Sequence, residues 1–192
     1  MLENVSVIIP VARDEKAHEI LLKDLDGCGA EIIVSMEGSR AASLNVGAGK
    51  ASREFLCFLH ADSRVSAENI EVLARSLKRD PGALHYFLLS FGYGKAAFNA
   101  WMANIRSGVF GLPYGDQGFC ISKEYFEKVG GFPDADYGED LLFIRKVKKE
   151  NVPVRFMPSK LRSSARKYYE VGWLKLTLIR QWQFWRLMCQ KI

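Results

Sequence analysis

Leu56-Cys57-Phe58-Leu59-His60-Ala61-Asp62-Ser63-Arg64 is the stretch on which the fold turns. With Phe55 it opens as an unbroken apolar run over 55–59, the pattern of a strand buried on both faces. His60-Ala61-Asp62 then ends the run abruptly. In open α/β sheets, ligands bind just beyond the carboxyl ends of strands. A carboxylate there is placed to hold a hard cation against a phosphate. The plainer alternative is that Asp62 only caps the next helix, or that Ser63 or Ser66 does so and Asp62 is a loop residue.

Toward the N-terminus, Val5-Ser6-Val7-Ile8-Ile9-Pro10 is a β-rich run stopped by proline, and reads as a first parallel strand. Ala12-Arg13-Asp14-Glu15 follows at its carboxyl end. The spacing predicts a helix over 16–25 with Ile20, Leu21 and Leu25 inward, ended by Gly27 and Gly29. Glu31-Ile32-Ile33-Val34 is the second strand, and strand, helix, strand at this spacing is a βαβ unit with a right-handed crossover. Next comes a run of small residues, Gly38 to Gly49, that lets a helix approach a sheet or a ligand closely. Within it, Arg40 is long enough to reach a phosphate and Asn45 is able to bond a base or ribose. By itself the run reads better as an Ala/Gly-rich helix packed on the sheet, and it lacks the Gly-Lys-Ser/Thr ending of a phosphate-cradling loop.

Toward the C-terminus, a helix is expected over 67–78 with Ile70, Leu73, Ala74 and Leu77 on one face, broken by Pro81-Gly82. Residues 84–91 read as a fourth strand. Over 94–112 the signal is weak, although Phe98, Trp101, Met102, Ile105 and Phe110 have helical spacing. Tyr114-Gly115-Asp116-Gln117-Gly118 precedes a strand at 119–121, and Ser122 opens a short helix closed by Gly130. The acidic loop 134–140 leads into a helix over 141–149, where Glu139 and Asp140 suit the helix dipole. A last short strand is expected at 154–156.

The 192 residues, 48% hydrophobic and 26% charged, describe a globular chain long enough for one α/β core. Its net charge of +5 and pI of about 9.0 suit an anionic ligand, membrane surface or nucleic acid without choosing among them. Cys28, Cys57, Cys120 and Cys189 are scattered without a Cys-x-x-Cys pair. That favours buried free thiols in a reducing compartment over zinc or disulfides. Met1-Leu2-Glu3-Asn4 runs straight into an apolar strand, so the expectation is a cytoplasmic protein without a signal peptide. The tail, 168–188, reads as one amphipathic helix with Lys175, Gln183, Arg186 and Gln190 on a stripe and aromatic or aliphatic residues elsewhere. Arg162, Arg166 and Lys167 flank it. This pattern fits insertion at a membrane interface and equally fits packing against the domain or a second subunit of a homo-oligomer. The chain accordingly divides into a domain over 1–160 and a basic segment with its helix over 161–192.

Several of these pieces, in their order, resemble the family-2-type glycosyltransferases of GT-A fold: the 5–10 strand, Phe58-Leu59-His60-Ala61-Asp62-Ser63, Gly115-Asp116-Gln117-Gly118, Gly130-Gly131-Phe132-Pro133 and Glu139-Asp140. The His-Ala-Asp variant, Gly-Asp-Gln-Gly and Ser163-Ser164-Ala165-Arg166 are similar to the bacterial branch found with radical-SAM and selenium-domain genes. The resemblance implies an α/β fold with a mixed, mostly parallel sheet flanked by helices. It implies a divalent metal, Mn2+ or Mg2+, on Asp62, with His60 and Ala61 beside the nucleotide. By the same resemblance Asp140, with Glu139, is the general base. Gly115, Asp116 and Gln117 line the acceptor side, and Pro10, Arg13 and Glu15 lie at the nucleotide end of the first strand. One strand–helix unit that relatives carry after the second strand is missing here, which leaves Glu37 as the candidate base-binding carboxylate.

The reaction so implied is inverting transfer of a sugar from a nucleotide-diphosphate donor to a hydroxyl acceptor. A lipid-linked acceptor fits the tail, while a small molecule or protein fits the rest. The alternative is a degenerate domain that binds a nucleotide or partner without catalysis. Nucleic acid is not expected as a partner, because the basic residues precede an apolar helix and form no aromatic-interleaved patch.

Overall fold

The computed structural model describes residues 1–189 apart from Asp14, Tyr93 and Asp136; these three and Gln190 lie outside the described residues. Strands β1 (Val5–Pro10), β2 (Glu31–Ser35), β3 (Phe55–Phe58), β4 (Leu84–Ser90), β5 (Phe119–Ser122) and β6 (Val154–Arg162) form one sheet in the order β2-β1-β3-β5-β4-β6. Only β5 runs against the rest, pairing antiparallel with β3 and β4. The fold is therefore α/β with a mixed, mostly parallel sheet flanked by helices, as the resemblance implies, and the βαβ spacing predicts the parallel pairing of β1 and β2 within it.

The central strand β3 is buried on both faces. Leu56 and Phe58 enter one core, against α2 (Arg40–Lys50), α5 (Lys123–Val129) and α6 (Glu139–Lys149), where Phe126, Phe132 and Phe143 stack about Phe58. Phe55, Cys57 and Leu59 enter the other, against Leu21 and Leu25 near α1 (His18–Asp24) and Ile70, Leu73 and Leu77 of α3 (Ala67–Arg79). Strand alternation thus builds both layers from a single five-residue run. Of the inward residues expected on α1, Ile20 is instead 47% exposed: Leu21 sets the buried side of the helix, and the residue before it lies about 100° round the axis. The small-residue run forms α2, and its closeness to the sheet is real: a Cβ on Gly47 would stand 2.5 Å from Ile8 Cγ2.

Two expectations are corrected. The last strand is not three residues but nine, because Pro158 does not end it. The register skips between Phe87 and Leu88 of β4, so Pro158 sits in a bulge that needs no ladder donor, and pairing resumes to Arg162. The tail is not one helix. α7 (Arg166–Val171) and α8 (Trp173–Cys189) meet at Gly172, whose φ of +93° no helix accommodates. The bend lets Tyr168 pack on Phe91 and Leu187 enter the main core. The weak 94–112 pattern is a full helix, α4 (Lys95–Phe110), joined to α8 by Asn99 bonding Thr177 (2.8 Å) and Trp173 (2.9 Å). Among the described residues no helix is long and apolar enough to cross a membrane. Cys28, Cys57 and Cys120 are buried free thiols, whereas Cys189 is exposed.

Candidate functional site

Beyond the carboxyl end of β3 the chain turns sharply, with the Ser63 N–H donating to the His60 carbonyl at 3.0 Å. Arg64 pins this turn by a two-pronged pair with Asp24 (2.7 and 3.1 Å) and by its N–H to the Arg162 carbonyl. Capping of α3 falls to Ser66, in a reciprocal box with Asn69. Asp62 is thereby spared from capping and faces two adjoining hollows.

The first hollow, about 270 Å³, is lined by Pro10, Glu15, Ser39, Arg40, His60, Ala61 and Asp62, with Arg166 and Lys167 across from them. The second, about 410 Å³, shares Arg40, His60, Asp62 and Lys167 and adds Asp116, Glu139, Asp140, Ser163, Ser164 and Arg180. Residues from 10 to 187 thus converge on one polar trough.

Arg40 is its hinge point. Placed in the first turn of α2 by the Ser39 cap, it pairs with Glu139 at 2.6 Å and reaches Asp140 at 3.5 Å. Asp140 Oδ2 also accepts the Gly115 N–H at 2.8 Å, and Oδ1 accepts the Leu141 N–H at 2.8 Å. Gly115 is required there: a Cβ would stand 2.7 Å from His60 Nε2, 3.0 Å from Arg40 Nη2 and 3.1 Å from Asp140 Oδ2. Burial holds the His60 imidazole well below its usual pKa, and the charges of Arg40, Lys167 and Arg180 add to this, so the ring is neutral near pH 7. Burial raises the carboxyls of Asp62, Asp116 and Glu139. The charge of Glu15 adds to the effect at Asp62 and that of Asp140 at the other two, while Arg40 opposes it at Glu139 and Asp116. Asp116 Oδ1 is buried with no hydrogen-bond partner among the described residues. Burial, chiefly, also pushes the Tyr114 hydroxyl up to about 12.

Not every expected residue reaches the trough. Arg13 is exposed and lines neither hollow. The Glu37 carboxylate turns away to Lys50 at 3.7 Å, because Ser43 holds the Glu37 backbone at both its N–H and its carbonyl. The Asn45 amide is spent on the Phe132 backbone, accepting its N–H (2.9 Å) and donating to its carbonyl (2.8 Å). Gln117 is an internal strut: it donates to the Phe87 carbonyl and Ser107 Oγ (3.1 Å each) and accepts the Tyr114 N–H, fixing the 3₁₀ turn Gly115–Gln117 to the sheet. Conversely, Tyr114, Arg180 and Gln183 enter the site without any motif to announce them. Arg166 and Lys167 had a signal, a basic pair just past a strand, but it reads equally as a membrane flank. In the structure both line the first hollow.

The donor set at Asp62 bears on a metal. Among the described residues no group of three or more His, Cys, Asp or Glu side chains stands ready to hold an ion. A single carboxylate beside a cationic hollow fits instead the way Mg2+ and Mn2+ are held by one or two carboxylates together with a substrate's phosphates.

No family model and no curated protein matches the sequence. Solved structures do match in fold. S. aureus TarS superposes with a TM-score of 0.63 at 17% identity over 84% of this chain and 37% of that one. Its 1–349 fragment gives 0.62 at 16% identity over 88% and 63%. The mannosyltransferase PcManGT from Pyrobaculum calidifontis, in complex with GDP-Man and Mn2+, gives 0.59 at 16% identity over 84% and 56%. The chain spans less than two thirds of each of these neighbours and shares their mixed α/β fold.

Proposed function

We propose that this chain is a metal-dependent inverting glycosyltransferase that moves a sugar from a nucleoside-diphosphate donor to an acceptor hydroxyl. The observation that carries the reading is that Asp62 and Asp140, far apart in sequence, face one trough with Arg40 between them. The fold shared with a mannosyltransferase that binds GDP-Man and Mn2+ supports it.

In this reading the nucleotide lies in the hollow of Pro10, Glu15 and Ala61, and its diphosphate meets Arg40, Arg166 and Lys167. Asp62 is the residue that would hold a divalent cation there. When bound, the cation supplies positive charge that stabilises the leaving group. Asp140 takes the proton of the acceptor hydroxyl. The freed oxygen bonds to the anomeric carbon as the bond to the diphosphate oxygen breaks, and the nucleoside diphosphate leaves with that electron pair. Attack opposite the leaving group inverts the anomeric centre. The exposed Leu174, Leu178 and Trp182 of α8 support peripheral association with the cytoplasmic face of a membrane.

The test is thermal stabilisation by UDP-, GDP-, CMP- and dTDP-sugars with Mn2+ or Mg2+. A donor at ~100 times its dissociation constant adds about 2.7 kcal/mol. Asp62→Ala is expected to abolish the metal-dependent shift. Asp140→Asn is expected to keep it and lose transfer by a factor of about 100 or more. A metal-dependent shift retained in Asp62→Ala removes Asp62 from its role. A second reading, a degenerate domain that binds a nucleotide or a protein partner without catalysis, is favoured by one observation: the Glu37 carboxylate faces Lys50, so that loop offers the nucleobase no carboxylate. Donor hydrolysis with Mn2+ by the wild-type chain would dismiss it.

A further inference from the structure

The polar trough does not end at Asp116. A second cavity of about 500 Å³ begins there and runs between α4 and α8, sharing Tyr114, Asp116 and Arg180 with the trough. Its volume falls in the range of small-molecule sites, about 300–1,000 Å³. Its walls are of a different kind: Met102, Phe110, Phe184 and Met188 make it largely apolar. Phe98 and Trp185, both more than half exposed, stand at its wall where it meets the surface.

Two independent observations say what kind of molecule suits it. The first is charge. Helices α4 and α8 carry five basic residues (Lys95, Arg106, Lys175, Arg180 and Arg186) and no Asp or Glu, and two of the five, Arg106 and Arg180, line the cavity beside the single acid Asp116. The second is an orphaned donor. Arg106 lies over the Tyr114 ring at 3.6 Å and gives its Nε–H to the Leu112 carbonyl at 3.1 Å, but its Nη2 is buried with no partner among the described residues. A buried guanidinium nitrogen without an acceptor is costly, and the Arg106 side chain that carries it lines the cavity. Arg180 contributes a second cation at the junction with the trough.

We propose that this cavity is the acceptor subsite, and that the acceptor is an anionic amphiphile. Its apolar chain lies between α4 and α8, its phosphate-type head meets Arg106 and Arg180, and its hydroxyl points toward Asp116 and Asp140. A chain longer than the cavity emerges beside the exposed Phe98 and Trp185 at its wall. The inference rests on the transferase reading, and the two are separable by experiment.

Calorimetric titration with decyl phosphate, below its micellar concentration, is the direct probe, with decanol and inorganic phosphate as the half-molecules. The expected result is saturable one-to-one binding, tighter than either half-molecule by about tenfold or more. Ala103→Phe, inside the cavity, and Gln181→Trp, at an exposed wall position, are each expected to weaken decyl phosphate by about tenfold while the donor-induced melting shift is unchanged. Gln181→Trp keeps the test alive if the buried substitution does not fold. Arg106→Gln is expected to erase the preference for decyl phosphate over decanol. Absence of saturable binding, or binding indifferent to both blocking variants, with an intact donor shift, overturns the inference and leaves the transferase reading standing. Decyl phosphate binding in a chain that binds no nucleotide-sugar overturns the transferase reading, and with it the role of the cavity as an acceptor subsite.

Discussion

Gly115 shows how tightly the site is drawn. Its missing side chain leaves room among a neutral imidazole, a guanidinium and a carboxylate, the nearest of them 2.7 Å from where a Cβ would go. Gly115→Ala forces His60 or Asp140 aside, and its N–H no longer meets Asp140 Oδ2 at 2.8 Å. On the transferase reading proposed above, transfer is expected to fall by about tenfold or more, because a displacement of about an ångström in a positioning group is costly to rate. The accompanying loss of stability should be about 1–3 kcal/mol, the usual range for overpacking, read from a denaturant melt beside the steady-state rate. At this scale the sequence was partly legible. Asp62 stands out locally as a carboxylate that ends a buried strand, whereas Asp140 reads locally as a helix-dipole residue and was singled out only through the resemblance. Arg180 and Tyr114 were not, since their placement depends on the bend at Gly172 and on the turn that Gln117 fixes. Asn45 and Gln117 look like ligand-binding amides in a sequence. Only their partners, the Phe132 and Phe87 backbones, show that they are struts.

At the scale of elements, α2 separates two roles that glycine plays within one helix. Gly47 is where the helix touches β1, and a methyl there would lie 2.5 Å from Ile8 Cγ2, in a core already full. Gly49, two residues on, is exposed, with nothing within 4 Å of where a Cβ would go. Gly47→Ala is therefore expected to destabilise by about 1–3 kcal/mol. Gly49→Ala is expected to stabilise by about 0.5–1 kcal/mol, by lowering the chain entropy lost on folding. Thermal melts of the two single variants should move in opposite directions; shifts of the same sign would mean that α2 does not lie this close to β1. Strands β1 to β3 and helix α3 were readable because apolar alternation and helical periodicity are local signals. The length of β6 was hidden by Pro158, which a bulge absorbs, and the break in the tail by a single glycine in a strongly helical run. Both depend on long-range pairing, which periodicity does not carry.

For the molecule as a whole, the burial that shapes the site also sets its response to pH. His85, fully buried in β4, gives its Nε2–H to the Asp80 carbonyl at 2.8 Å, and its Nδ1 has no partner among the described residues. Burial lowers its pKa, with Arg79 and Arg155 adding to the shift and Asp80 opposing it. In the unfolded chain the imidazole titrates near about 6.5. Below that pH the unfolded state binds a proton that the native state still refuses, so stability rises with pH from the lowered native pKa up to about 6.5 and falls on acidification through that window. The raised carboxyls of Asp62, Asp116 and Glu139 have the opposite sign: each contributes stability below its unfolded pKa and loses it as pH rises through its native one. Comparing the wild type with His85→Gln cancels these terms, because both proteins carry them, and Gln retains a donor for the Asp80 carbonyl. Melting temperatures measured from about pH 8 to about pH 5 should run parallel for the two proteins above about 7. Below that the wild type should fall faster, as the imidazole's unfolded-state proton uptake enters. Curves that stay parallel to about pH 5 would mean that His85 titrates alike in both states, and that the interior beside β4 admits its charge.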